Sequence, residues 1–181
     1  FMPGGTYLVS TTLVVRCSLE ARNAVLVTAQ NGVCVRLGDS DATADNYLRH
    51  LTVTLPREIR KTTVNHAVDS VAVELGRVAF STIKLGYTLN FTTAIRASVA
   101  GLTDGYFAWN DVFLGNHQTH KVGLEIIPGT NGWVNENRWY GGEFGSYVTE
   151  QSAGYIGIHI DGGDDATLWP DKNRFIGTSV E

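Results

Sequence analysis

Four carboxylates and a group of aromatic rings are the residues of this sequence best suited to chemistry. Glu143 stands beside Phe144, and Asp161 closes the alternating run Ile156 to Ile160; Asp111 and Glu136 come next. Acid hydrolysis of a glycosidic bond needs two carboxyl groups, about 5 to 5.5 Å apart for retention or about 6.5 to 9.5 Å for inversion, one of them protonated near neutral pH. Residues on neighbouring parallel strands lie about 4.8 Å apart, so an acidic pair on adjacent turns of a stacked fold would meet that geometry. The plainer reading of each carboxylate is a solvated side chain or a turn former. The aromatic supply is concentrated in the second half, at Trp109, Trp133, Trp139, Tyr140, Tyr147, Tyr155 and Trp169. Ring faces suit the apolar faces of sugars, while indole and phenol tips bond hydroxyls. Trp133, Trp169, Tyr147 and Tyr155 are the candidate sugar contacts, and Trp139 reads as core.

Other chemistries find less support. Asp39, Asp41 and Asp45, and Asp161 with Asp164 and Asp165, form acidic turns without the EF-hand spacing, so no metal site is assigned. His117 and His120 lack a third zinc ligand in their neighbourhood of the sequence. No nucleophile elbow, Walker loop or dinucleotide fingerprint occurs, and no cofactor is expected. Lys and Arg number 14 against 18 Asp and Glu, a net charge of -4 with a pI near 5.7, which argues against a nucleic-acid partner. No apolar run is long enough to insert in a membrane. The two cysteines, Cys17 and Cys34, read as buried small hydrophobes and not as a disulfide.

The elements that must position these residues are strands. Glycine is frequent at 20 residues, proline is sparse at 4, and Val and Thr recur, which favours an all-β fold. Alternation predicts a shared face for Tyr7, Val9, Thr11, Leu13 and Val15, and further strands at Val33 to Leu37, Leu51 to Leu55, Val71 to Leu75 and Ile156 to Ile160. Hairpin signals are scarce, and the strand starts at Val33, Leu51 and Val71 suggest a turn of about 18 to 20 residues in a stacked solenoid. The stretch Arg57 to Asp69 lacks alternation and reads as an excursion from it. Asn137-Arg138-Trp139-Tyr140-Gly141 and Asn173-Arg174-Phe175-Ile176-Gly177 repeat the pattern Asn-Arg-aromatic-x-Gly, with a looser copy from Trp109 to Gly115. In a parallel β-helix such an Asn bonds the backbone or the Asn of the next turn, and the aromatic after it points inward.

On these repeats, and on the opening Pro3-Gly4-Gly5-Thr6-Tyr7-Leu8-Val9-Ser10-Thr11-Thr12-Leu13, the sequence resembles the right-handed parallel β-helix domains of bacteriophage tailspikes and tail fibres, within the pectate-lyase-like superfamily. The resemblance implies one β-helix domain over residues 1–181, a piece of a longer chain, in a homotrimer on the virion beside other tail proteins. It implies a bacterial capsular or lipopolysaccharide glycan as partner, bound for host attachment. A polysaccharide depolymerase, hydrolase or lyase, and a purely structural spacer are the other functions such a domain serves.

Overall fold

Short stretches of Val, Ile, Thr and Ala cannot bury themselves on one strand, and this chain returns repeatedly to the same sheets to bury them. The structure, a computed structural model, describes residues 1–38, 48–100, 105–129, 132–145, 154–162 and 170–181. Those residues form strands and connections without a helix, and every described strand pairing is parallel. The calcium-turn candidates Asp39, Asp41, Asp45, Asp164 and Asp165, and the sugar-contact candidates Tyr147 and Trp169, lie outside the described residues.

Three sheets of eleven, four and six strands carry the chain. The four-stranded sheet stacks Leu48–Arg49, Val78–Ala79, Tyr106–Ala108 and Trp133–Asn135. The six-stranded sheet runs from Leu13–Val15 through Gly32–Leu37, Ser70–Leu75, Thr93–Ser98 and Val122–Ile127 to Ile156–Ile160. The eleven-stranded sheet is curled, because Asp111–Gln118 pairs with Thr82–Lys84 through its first half and with Tyr87–Leu89 through its second. Arg138–Gly145 repeats the bend one layer on, against Arg174–Ile176 and then Ser179–Val180. The chain thus visits the four-stranded sheet, both limbs of the curled sheet and the six-stranded sheet in that order, then begins again. This circuit is compatible with a parallel β-helix.

Glycine permits the bend. A Cβ on Gly115 would run into the carbonyl of Gly86, and one on Gly86 into the carbonyl of Pro56, so successive turns approach too closely at the bend for a side chain.

The core is a set of stacks. Leu26, Ile59, Thr88, His117 and Phe144 are successive register partners on one limb. On the other limb Val53, Ile83, Val112 and Trp139 succeed one another and are fully buried. Val35, Val73, Ile95 and Leu124 do the same on the six-stranded sheet. Each buried Val, Leu, Ile or Phe of these stacks contributes about 1.5 to 3 kcal/mol relative to exposure. Trp139 lies between Phe107, at 6.0 Å between centroids, and Phe175, at 6.2 Å.

Several expectations need correction. Val33 and Val71 are direct register partners, whereas Leu51 leads into a strand of a different sheet, so the 18 to 20 residue interval is not one turn. Only the first return is that short, with Thr28 lying 19 residues beyond Val9; later turns place Asn110 29 residues beyond Ser81 and Asn137 27 beyond Asn110. Tyr7 and Val9 belong to one sheet and Leu13 and Val15 to another, because the chain turns a corner between them. Within the expected excursion, Glu58–Lys61 is a regular strand between Ala24–Thr28 and Tyr87–Leu89. Neither cysteine is in a disulfide; Cys34 is buried as expected, but Cys17 is exposed.

Candidate functional site

The corner between the four-stranded sheet and the curled sheet is built by an asparagine ladder. Asn110 Nδ2 donates to Asn137 Oδ1 at 3.0 Å, and Asn137 Nδ2 donates to Asn173 Oδ1 at 3.1 Å. Each amide also donates to a backbone carbonyl, of Val78, Phe107 and Val134 in turn. Ser81 holds the preceding step, its N–H donating to Asn110 Oδ1 at 3.0 Å. The repeated motif therefore does what its spacing suggested. Its asparagines satisfy the corner backbone, and Val112, Trp139 and Phe175 follow inward in register.

Immediately before each ladder residue, and before Leu51 one turn earlier, the backbone turns left-handed. His50, Phe80, Trp109, Glu136 and Lys172 have φ of 55, 50, 56, 57 and 54°. Such a conformation costs a non-glycine residue roughly 1 to 2 kcal/mol. Here it recurs at one corner on successive turns and throws large side chains outward. His50 and Phe80 stack at 5.7 Å, and Phe80 and Trp109 at 4.9 Å with planes only 3° apart. Tyr106 meets Trp109 edge-on at 5.8 Å, and Trp133 lies 6.2 Å from Tyr106 at 42°. Arg49 Nη2 donates to the Tyr106 hydroxyl at 2.8 Å. Phe80, Trp109 and Trp133 remain 45, 38 and 40% exposed.

The stacked column shows its ring edges to solvent, and Tyr106 and Trp133 add rings in other planes. The result is an apolar strip at least two strand spacings long, roughly 10 Å, bordered by the Tyr106 hydroxyl and the Arg49 guanidinium. Contiguous exposed aromatic surface makes this corner the candidate binding face.

At its far end the strip meets charge. Trp109 Nε1 donates to Glu136 Oε2 at 3.0 Å, and Lys172 Nζ donates to Glu136 Oε1 at 3.1 Å. Lys172 chiefly, and Trp109 after it, hold the Glu136 carboxyl below the usual carboxylate range. Glu136, Arg138, Lys172 and Arg174 line a cleft of about 110 Å³. A larger depression of about 540 Å³, near Leu8, Val27 and Thr62, is lined by no ionisable side chain.

Of the residues singled out from sequence, Trp133 joins the strip. Tyr155 instead packs against the core with its hydroxyl buried and unpartnered, and burial pushes its phenol up to about 12. Asp111 is clasped by Arg138, with contacts of 2.6 and 2.7 Å. Glu143 faces Asn116 and Ser179 in register and accepts a hydrogen bond from Gln118 Nε2 at 3.1 Å. Asp161 follows the last strand of the six-stranded sheet, its N–H donating to the Ile126 carbonyl. No register pair among the described residues sets two carboxylates opposite each other. Glu136, the carboxylate nearest the aromatic strip, is held ionised and so is no proton donor at neutral pH.

His50, Phe80, Tyr106 and the cationic cleft escaped sequence reasoning. The signal was present one residue upstream: stepping back from Ser81, Asn110, Asn137 and Asn173 lands on Phe80, Trp109, Glu136 and Lys172.

The buried pair His117 and His120 makes a separate polar cluster. Thr88 Oγ1 lies 2.8 Å from His117 Nδ1 and 3.0 Å from His120 Nε2, and His120 Nδ1 lies 3.0 Å from the Phe91 carbonyl. His120 Nε2 also lies 3.2 Å from the Thr88 carbonyl, so each ring nitrogen of His120 faces a backbone acceptor. The Thr88 hydroxyl bridges the two rings, and His117 Nε2 is buried without a partner. Burial depresses both imidazoles, His117 to about 3 and His120 to about 4. Among the described residues no group of three or more His, Cys, Asp or Glu side chains could hold a metal ion.

Comparison with family descriptions, with curated proteins and with solved structures finds no match to this chain.

Proposed function

We propose that this chain is a glycan-recognising domain of the tailspike and tail-fibre kind: a right-handed parallel β-helix, trimeric on the virion, that binds bacterial capsular or lipopolysaccharide glycan for attachment to the host. The observation that carries this reading is the exposed strip His50, Phe80, Trp109, Tyr106 and Trp133, in which left-handed backbone on successive turns holds His50, Phe80 and Trp109 outward. A scaffold that needed these rings only for packing would turn them inward, as it does Phe107, Trp139 and Phe144. Neighbouring rings spaced by one strand repeat suit a chain ligand lying along the stack better than a small molecule in a pocket. The parallel circuit and the resemblance of the opening residues support the same reading.

Recognition is favoured over cleavage because, among the described residues, no carboxylate near the strip has an acidic partner opposite it. The test is titration of the full-length protein with a panel of bacterial capsule and O-antigen polysaccharides, followed by tryptophan fluorescence and reducing-end release. Quenching without release is the expected result, lost in Trp109→Ala and Trp133→Ala. Release of reducing ends would make the protein a depolymerase. Silence of both signals across the panel, or a monodisperse monomer in light scattering, would count against the reading.

A further inference from the structure

The outward charges of the six-stranded sheet alternate in sign from layer to layer. Arg36 faces Glu74, Glu74 faces Arg96, Arg96 faces Glu125 and Glu125 faces His159. The contacts are close, 2.6 Å from Arg36 Nε to Glu74 and 2.6 Å from Arg96 Nε to Glu125. Like charges opposite each other destabilise a sheet, and here alternation removes the problem.

The curled sheet breaks that rule at the end of the aromatic strip. Its outward positions run Thr82, Asp111, Arg138, Arg174, so two guanidinium residues are direct register partners. Asp111 already neutralises Arg138. Both oxygens of Glu136 are taken, one by Lys172 and one by Trp109. Arg174 is exposed and forms no close ion pair among the described residues; it acts on Glu136 at longer range, as Asp171 does on Lys172, and the cleft of about 110 Å³ is lined by three cations and one carboxylate. The chain as a whole is acidic at -4, so this concentration of positive charge is local.

Resting on the glycan reading above, we infer that the cleft of Arg138, Lys172 and Arg174 is an oxyanion subsite, and that the ligand is an acidic glycan whose carboxylate or phosphate sits there while its sugar rings lie along Trp109 and Tyr106. Size supports the division. A water occupies about 30 Å³ in the liquid, so the cleft takes a group of a few heavy atoms and not a whole pyranose. Guanidinium forks match carboxylate and phosphate geometry, and an oxyanion at this point relieves the repulsion between Arg138 and Arg174. Glu136 orients Lys172 toward the cleft and ties it to the indole, so the anionic and apolar contacts share one support.

The test uses the full-length protein with polysialic acid and hyaluronan as carboxylate probes, their carboxyl-reduced counterparts as neutral probes, and a glycerol-phosphate polymer as the phosphate probe. Binding is read by isothermal titration and tryptophan fluorescence at two salt concentrations. The expected result is that an acidic probe binds, weakens with salt, and loses about tenfold in affinity in Arg174→Gln, a surface change that leaves the melting curve unaltered. Preference for the carboxylate or the phosphate probe identifies which oxyanion the cleft takes. Equal binding of the neutral counterparts, or undiminished binding by Arg174→Gln, would overturn the oxyanion subsite and leave the glycan reading standing. No binding by any probe, acidic or neutral, would overturn both.

Discussion

Asn137 shows how one side chain holds a corner. Its Oδ1 accepts from the Asn110 N–H at 3.1 Å and from Asn110 Nδ2 at 3.0 Å, and its Nδ2 donates to the Phe107 carbonyl at 2.9 Å and to Asn173. Asn137→Ala removes one amide and strands partners on two neighbouring turns, of which Asn110 and Phe107 are fully buried. The expected loss is about 2 to 4 kcal/mol in urea unfolding, larger than for an ordinary surface hydrogen bond; a loss under about 1 kcal/mol would mean that water replaces the amide. The histidine pair gives a second prediction at this scale. Both imidazoles titrate far below 6.5 when folded and near it when unfolded, so on acidification the unfolded chain takes up protons first. Stability is therefore full above about pH 6.5 and falls as pH drops toward about 4, at up to about 1.4 kcal/mol per pH unit for each histidine. Carboxylates whose pKa is lowered in the fold, such as Glu20 and Glu136, add to the loss only below about 4.5. Between pH 6.5 and 4.5, His117→Leu should show a shallower fall than the parent, measured by urea unfolding at each pH. Parallel slopes would remove His117 from the acid response.

At the scale of elements, the six-stranded sheet is specified twice, by its buried Val and Ile stack and by the alternating charges on its outer face. The charge ladder fixes register, because sliding one strand by a single residue would replace Arg36 opposite Glu74 with an apolar side chain and turn the core face outward. Arg96 sits at its centre, between Glu74 and Glu125 in register and also bonded to Asp69. Arg96→Glu would set three acidic residues in consecutive layers, and about 2 to 3 kcal/mol of stability should be lost. A double variant adding Glu125→Arg should recover part of that loss; no recovery would show that Arg96 acts through packing alone. Little of this was legible in advance. The apolar alternation of Val71, Val73 and Leu75 announced a strand, because a period of two is local information. Which strands lie together depends on turn lengths, and those vary from 19 residues at the first return to 38 between Arg36 and Glu74. Only where the spacing is marked by a repeated residue, as in the Asn-Arg-aromatic copies, did the sequence carry the pairing. The aromatic strip was half visible for the same reason: Trp133 and Trp109 drew attention as tryptophans, whereas His50 and Phe80 become a site only through stacking on residues about 30 positions away.

For the whole molecule, each turn touches chiefly the turns on either side, so stability should be distributed along the stack as a sum of neighbour contacts. The middle turns are buried from both sides, with Val53, Ile83, Val112, Val73, Ile95 and Phe107 fully enclosed. The outermost described strands are not: Leu8 is 86% exposed at one end, and Ile160, Ile176 and Val180 are 47, 46 and 52% exposed at the other. Strands at an edge also carry backbone groups with no further partner in the stack. Hydrogen exchange should therefore be graded, fastest in Gly5–Val9 and in the strands from Ile156 onward, slowest in Thr82–Lys84, Thr93–Ser98 and the first half of Asp111–Gln118. The gradient also bears on assembly, because a trimer packed side by side would protect outward positions on the flanks without shielding the ends, whereas end-to-end stacking would protect the ends first. Slow exchange in both terminal strands of the isolated protein would show that those edges are covered in solution, and uniform protection along the chain would overturn the layer-by-layer account of its stability.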